Sequence, residues 1–275
     1  MINTRHAARP ERQQQESQRR SPAQRLIRAS FRTTSASAAW VKTGLVALPI
    51  YGLILGFTTL KPQPDQVIDP RGWAQFVSSS SYLVEHIASS VIGAVLVILG
   101  TLALGAVLSH GRAPRLALSG TILAVTGQIL FMVPGTISTF ATPAIGAAYL
   151  SGNRQVMTIE FSPVLSPITG VALLLTVVGN IILGLAIWRS DVLAKWTGMV
   201  WITGTLVFYV LGAFLGMATT GASLPTQPVG ALLMAISSAW IARTVLRSNT
   251  TQAPTDPDTP ADQPADRVSH SSRGV

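Results

Sequence analysis

The sequence predicts an all-α, polytopic membrane protein: a bundle of six transmembrane helices, with short interfacial helices in the outer loops and disordered termini. Three observations carry this. The first is the confinement of charge. Only 11% of the 275 residues are charged, and the 18 residues between Lys42 and Lys61 contain no Asp, Glu, Lys or Arg. With His also taken as a boundary, the other long uncharged runs are 87–109, 116–153, 161–188 and 196–242. A hydrocarbon core of about 30 Å takes roughly 20 apolar residues in helical form. The last run therefore crosses twice, with its break in the polar, Pro-containing stretch 219–228.

The second observation is the placement of positive charge. Residues 1–42 carry nine Lys/Arg against two Glu. With the N-terminus cytoplasmic, 17 of the 20 Lys/Arg fall inside, while Lys61, Arg71 and Arg154 fall outside. Positive residues mark cytoplasmic segments, so both termini are expected in the cytoplasm and the protein in the plasma membrane. The third is tryptophan. Indoles favour the membrane–water interface, and Trp40, Trp188, Trp196 and Trp240 all stand at the cytoplasmic ends of the expected spans.

Composition narrows the field further. The net charge is +9, a value that on a soluble protein would point to nucleic acid. Most of it precedes the first span, so membrane orientation explains it and no nucleic-acid partner is expected. Mean hydropathy is +0.43. There are no cysteines, which excludes disulfides, thiol catalysis and Cys-based metal sites.

Residues 1–39 read as a disordered basic leader, 40–247 as the membrane domain and 248–275 as a disordered cytoplasmic tail. The leader is too long, and the first apolar run too extended, for a cleavable signal. Within it, Arg25, Arg28 and Arg32 lie on one side of a helical projection, and Leu26, Ile27 and Phe31 largely on another. Two readings stay open: a segment lying on anionic inner-leaflet lipids, or a solvated tail that sets topology.

The spans are expected at about 40–60, 82–108, 116–139, 166–188, 196–218 and 228–246. Between the first two, Asp69-Pro70 supplies an N-cap and a first-turn proline. Trp73, Phe76 and Val77 then share a face, giving a short helix resting on the outer surface. In the third span Pro134-Gly135 predicts a kink or early exit. Residues 142–150 should then form a separate interfacial or partly re-entrant helix. Small residues form stripes: Gly93 and Gly100 with His86 on the second span, Gly212 and Gly216 on the fifth. Such stripes let membrane helices approach closely.

Polar groups inside a membrane are costly and mark candidate sites. Gln128 lies roughly 20 Å along the helix from Arg115, and Thr176 and Tyr209 come out at a similar height, with Asn180 slightly nearer the cytoplasm. These four converge near the midplane, either as a site or as mutual hydrogen bonds joining helices. Glu85 and His86 open the second span, Glu85 at the wet interface and His86 facing inward. They are read as an outer site or as packing and capping.

No catalytic residue, cofactor or metal is expected. His86 and His110, on one helix, stand about 36 Å apart by helical rise, which excludes bis-histidine haem ligation. No GxSxG, HExxH or Walker A sequence occurs.

Tyr82-Leu83, His86, Ser89-Ser90 and Gly93, taken with Pro143-Ala144-Ile145-Gly146, Tyr149-Leu150 and Gln227-Pro228-Val229-Gly230, resemble a group of uncharacterised multi-pass membrane proteins of actinobacterial type. The likeness spans roughly residues 65–247. It implies six helices and supplies no activity. The functional expectation is thus a non-enzymatic structural or partner-binding membrane component, assembling with itself or with another membrane protein. The alternative is a small permease for an uncharged or apolar solute.

Overall fold

The computed structural model describes residues 22–220 and 223–248. The expectations for residues 1–21 and for the tail beyond 248 lie outside the described residues. Among the described residues, six helices are long and apolar enough to cross a membrane, and no strand is present.

Helix α1, Pro22–Thr58, starts earlier than expected. Residues 22–38 are helical and continuous with the first span, Ala39–Thr58. Pro22 fits a first-turn position, and neither Gly nor Pro interrupts the chain again before Gly44. Helix α2, Pro70–Val77, begins as its sequence signals predict. Asp69 accepts a hydrogen bond from the Gly72 N–H at 2.9 Å, and Pro70 follows the cap. Its apolar face, however, is turned to protein. Trp73, Ala74 and Val77 are buried with Tyr82, and Ile145 and Tyr149 pack onto them.

Helix α3, Ser80–Leu108, contains a π-helical turn at Ile87–Ile92. Helix α4, Pro114–Leu150, corrects the early exit and the separate helix that were among the expectations. The chain neither leaves the helix at Pro134 nor starts a separate one at Thr142. Instead a π turn, Ile137–Ala141, precedes Pro143, and the Thr142 N–H reaches back to the Ile137 carbonyl. A proline ring collides with the carbonyl four residues back. Widening the helix by one residue just before Pro143 takes up that misfit, and the helix continues. Its 37 residues extend for about 55 Å, well beyond the roughly 30 Å hydrocarbon core. The helix is thus longer than one crossing needs, and α2 packs against its last turns.

A short 3-10 turn, Arg154–Thr158, leads towards α5, Leu165–Arg189. Helix α6 covers Lys195–Leu215 and continues through Gly216–Thr220, with π geometry over Leu206–Leu215. Helix α7 is Gln227–Ser248.

The six spans form a ring. Each packs on the next span in the chain (α1 on α3, then α4, α5, α6 and α7), and α7 closes back on α1. An even number of crossings puts the start of the first span and the end of the last at the same face, here called the terminal face.

In the half of the bundle next to that face, Leu45, Leu104, Leu183, Ile187 and Ile241 are fully buried in one apolar cluster. Glycines bring backbones together there. A Cβ on Gly120 would lie 2.9 Å from the Leu183 nitrogen, and one on Gly127 2.5 Å from the Thr176 nitrogen, so α4 and α5 touch without intervening side chains. One polar contact also runs between helices: Ser237 Oγ donates to the Thr197 carbonyl at 2.8 Å, joining α7 to α6. At the face itself, Arg112 pairs with Asp191 across two short loops. Trp40, Trp188, Trp196 and Trp240 are exposed there. The Trp196 and Trp240 rings meet edge to face at 5.3 Å.

Candidate functional site: a cavity in the open half

Above Gly127 the bundle changes character. Helices α4 and α5 part, and Gly170, about half a turn beyond the last close contact at Ala172, has nothing within 4 Å of its Cβ direction. The space between the spans is a cavity of about 920 Å³. It is walled by α1, α3, α4, α5 and α6, by the start of α7, and by the exposed segment 161–163. A cavity of this size accommodates a drug-sized or lipid-like molecule.

Three of the spans reach this space through their π turns. Ser89 and Ser90 come from the turn in α3, Ser138 from that in α4, and Phe208, Tyr209, Ala213 and Phe214 from that in α6. A π turn inserts an extra residue and redirects side chains, and such turns are frequent at functional sites.

The lining is apolar with scattered neutral polar groups. None of the lining residues is Asp, Glu, Lys or Arg. His86 is the one imidazole. Its ring stacks on Tyr82 with centroids 3.7 Å apart, and Nδ1 lies 3.0 Å from the Tyr82 carbonyl oxygen. A carbonyl only accepts, so Nδ1 carries the proton in the neutral ring and Nε2 keeps its lone pair. The Tyr82 hydroxyl in turn donates to the Ser138 carbonyl at 3.1 Å and meets Ser138 Oγ at 3.0 Å. That contact ties α3 to the π turn of α4 beside the cavity.

Each residue singled out in the sequence now has a place. His86 faces the cavity, but its hydrogen-bond partner is the backbone of its own helix rather than another helix. Glu85 lies outside the cavity lining and pairs with Lys61 at 3.5 Å, joining the α1–α2 connection to α3. Gln128 and Tyr209 line the inner end of the large cavity. Together with Thr176 and Asn180 they also line a second, small chamber just below it.

The expected mutual hydrogen bonds among these four are corrected. Asn180 Nδ2 donates to the Thr176 carbonyl of its own helix at 2.8 Å. Thr176 Oγ1 is buried without a partner. Gln128 makes no side-chain hydrogen bond among the described residues, because its amide is directed at cavity space instead of a neighbouring helix.

Sequence reasoning missed Tyr51, which lines both spaces together with Tyr209. It also missed Ser138, Gln227 and the indole nitrogen of Trp201. Tyr51 stands as a lone phenol in an apolar run, and that was the available signal. The role of Ser138 depends on a π turn that hydrophobic periodicity does not register.

The fold and the cavity define a class: a six-helix membrane protein, closed towards its terminal face and hollow in the other half. Comparison with protein-family models, curated proteins and solved structures finds no match for this chain.

Proposed function

We propose that this protein binds a small, uncharged, largely apolar molecule in the open half of the bundle, as a binding protein or permease without catalytic activity. The observation that carries this reading is the cavity of about 920 Å³, which reaches Gln128 and Tyr209 and has no formally charged side chain in its lining. An ion entering such a space would lose its hydration with no counter-charge to replace it. An apolar body with one or two hydroxyl, carbonyl or amide groups matches the walls and the neutral donors and acceptors at 86, 128, 138 and 209.

The second reading, a structural component that assembles with itself or a partner, rested on small-residue stripes. Those stripes are largely occupied within the chain. Gly100 lies against Leu48, Gly212 against Gln227 and Gly230 against Phe208. This leaves less small-residue surface for a second copy and favours the ligand-binding reading.

We further infer a plasma-membrane location with both termini cytoplasmic, supported by the charge asymmetry and by the exposed tryptophans at the terminal face. The cavity then opens outward. A reporter fused after Val275 is active only in the cytoplasm, and one inserted at Asn153 only outside. The reverse pattern would invert the proposed direction of access.

The binding reading is tested by native mass spectrometry of the full chain released from membranes. The wild type carries a neutral adduct that is absent from Ala213→Trp and Ser90→Trp, two substitutions that fill the cavity from different helices. A wild type without adduct, or an adduct retained by both variants, would sink it.

A further inference from the structure

Beneath the large cavity, separated from it by Tyr51, Gln128 and Tyr209, which line both spaces, lies a small chamber at the centre of the ring. All six spans contribute to it, including Thr101 from α3, Asn180 from α5 and Ser238 from α7. Its free volume is about 20 Å³. A cavity needs about 10–15 Å³ to hold one water molecule.

Two polar atoms beside this chamber are buried and have no partner: Thr176 Oγ1 and Trp201 Nε1. Both residues are 3% exposed. They come from different helices, α5 and α6. A buried donor or acceptor left without a partner is costly, and two next to one void need an explanation beyond chance packing. The chemistry is complementary. The indole N–H only donates, whereas the threonine hydroxyl donates or accepts. Asn180 commits Nδ2 to the Thr176 carbonyl and retains Oδ1 as an acceptor. Gln128 brings an uncommitted amide from α4. No formally charged side chain lines the chamber, and the indole hydrogen disfavours a cation.

We propose that the chamber is a hydration site holding one resident water molecule. The water accepts from Trp201 Nε1 and donates to Thr176 Oγ1 or Asn180 Oδ1, and Gln128 is its link to the space above. Polar residues at the centre of the ring are thereby satisfied through solvent rather than through each other, which accounts for the missing direct bonds between helices. The site stands whether or not the large cavity takes a ligand.

The test combines a thermal double-mutant cycle with direct observation of solvent. Thr176→Val is nearly isosteric and Trp201→Phe removes the donor. With a shared water, each single substitution lowers Tm by about 2–4 °C. The double variant then loses less than the sum, because either change already removes the bridge. A dry chamber gives the opposite sign at position 176: deleting an orphan hydroxyl leaves Tm unchanged or raises it. Since Trp201→Phe also removes ring volume, the deciding measurement is an experimental density map of the full-length wild type at a resolution that shows solvent. A density peak within hydrogen-bonding distance of Trp201 Nε1, absent in Trp201→Phe, supports the proposal. An empty chamber in the wild type overturns it.

Discussion

Helices α4 and α5 run together in one half of this bundle and apart in the other. Near the terminal face, Gly120, Gly127 and Gly179 bring their backbones into contact, and Leu183 and Ile187 beside them are fully buried. Past Gly127 the same two helices carry Pro134 and Gly170 around an open volume. Glycine is present in both halves. What differs is the partner: Gly127 faces the backbone of α5, and Gly170 faces nothing. A small residue in a membrane helix is therefore no evidence of packing until its opposite number is known.

That contrast makes its sharpest prediction at the two glycines. Gly127→Leu forces a side chain into the α5 backbone and costs about 3 kcal/mol, read as loss of monodisperse protein in detergent. Gly170→Leu stays within about 0.5 kcal/mol of wild type. Equal effects at both positions would mean that α4 and α5 close up along their full length.

The next largest effect lies at the rim of the open half. Tyr82→Phe removes the hydroxyl that holds Ser138 and costs about 1 kcal/mol. Thermal unfolding measures the loss, and proteolysis should show it concentrated around residues 137–141. An unchanged Tm would mean that the α3–α4 contact does not depend on this bond.

Gln128→Leu separates the halves from the other direction. Because the amide has no protein partner, stability changes by no more than about 0.5 kcal/mol, while retention of the neutral adduct falls. A large loss of stability would indicate that Gln128 bonds to a neighbouring helix after all. The smallest effect is at Lys61. Its pair with Glu85 is 65% exposed on the lysine side, so Lys61→Ala shifts stability by less than about 1 kcal/mol, an effect that shrinks further in high salt.

The same division explains what could be read from the chain. Spans follow from the transfer cost of charge, a property of each residue alone, so the uncharged runs located the six crossings and Asp69-Pro70 located α2. Gln128, Thr176, Asn180 and Tyr209 were placed at a common depth by counting helical rise. What those side chains bond to is a property of pairs, and of the two readings left open the mutual hydrogen bonds are not formed: Asn180 turns to its own helix and Gln128 to cavity space. Pro134-Gly135 was read as a kink or early exit, and 142–150 as a separate helix. The π turn at Ile137–Ala141 accommodates the disruption without ending the helix, and nothing in the hydrophobic period of 116–153 announces it. Tryptophan was legible where it is exposed at the terminal face, at Trp40, Trp188, Trp196 and Trp240. It misled at Trp73, which lies under α4.

Closure of the ring between its first and last spans has a consequence for biosynthesis. Gly52 of α1 rests against Ala235 of α7, with room for no larger group at that contact. These residues are separated by almost the whole membrane domain and emerge from the ribosome far apart in time. Until α7 is inserted, the matching side of α1 has only lipid to face, and the chain is an open arc rather than a ring. Assembly of the bundle is therefore completed at the last span. A nascent chain arrested after α6 is expected to be a substrate for membrane quality control, with α1 the exposed element by which it is detected.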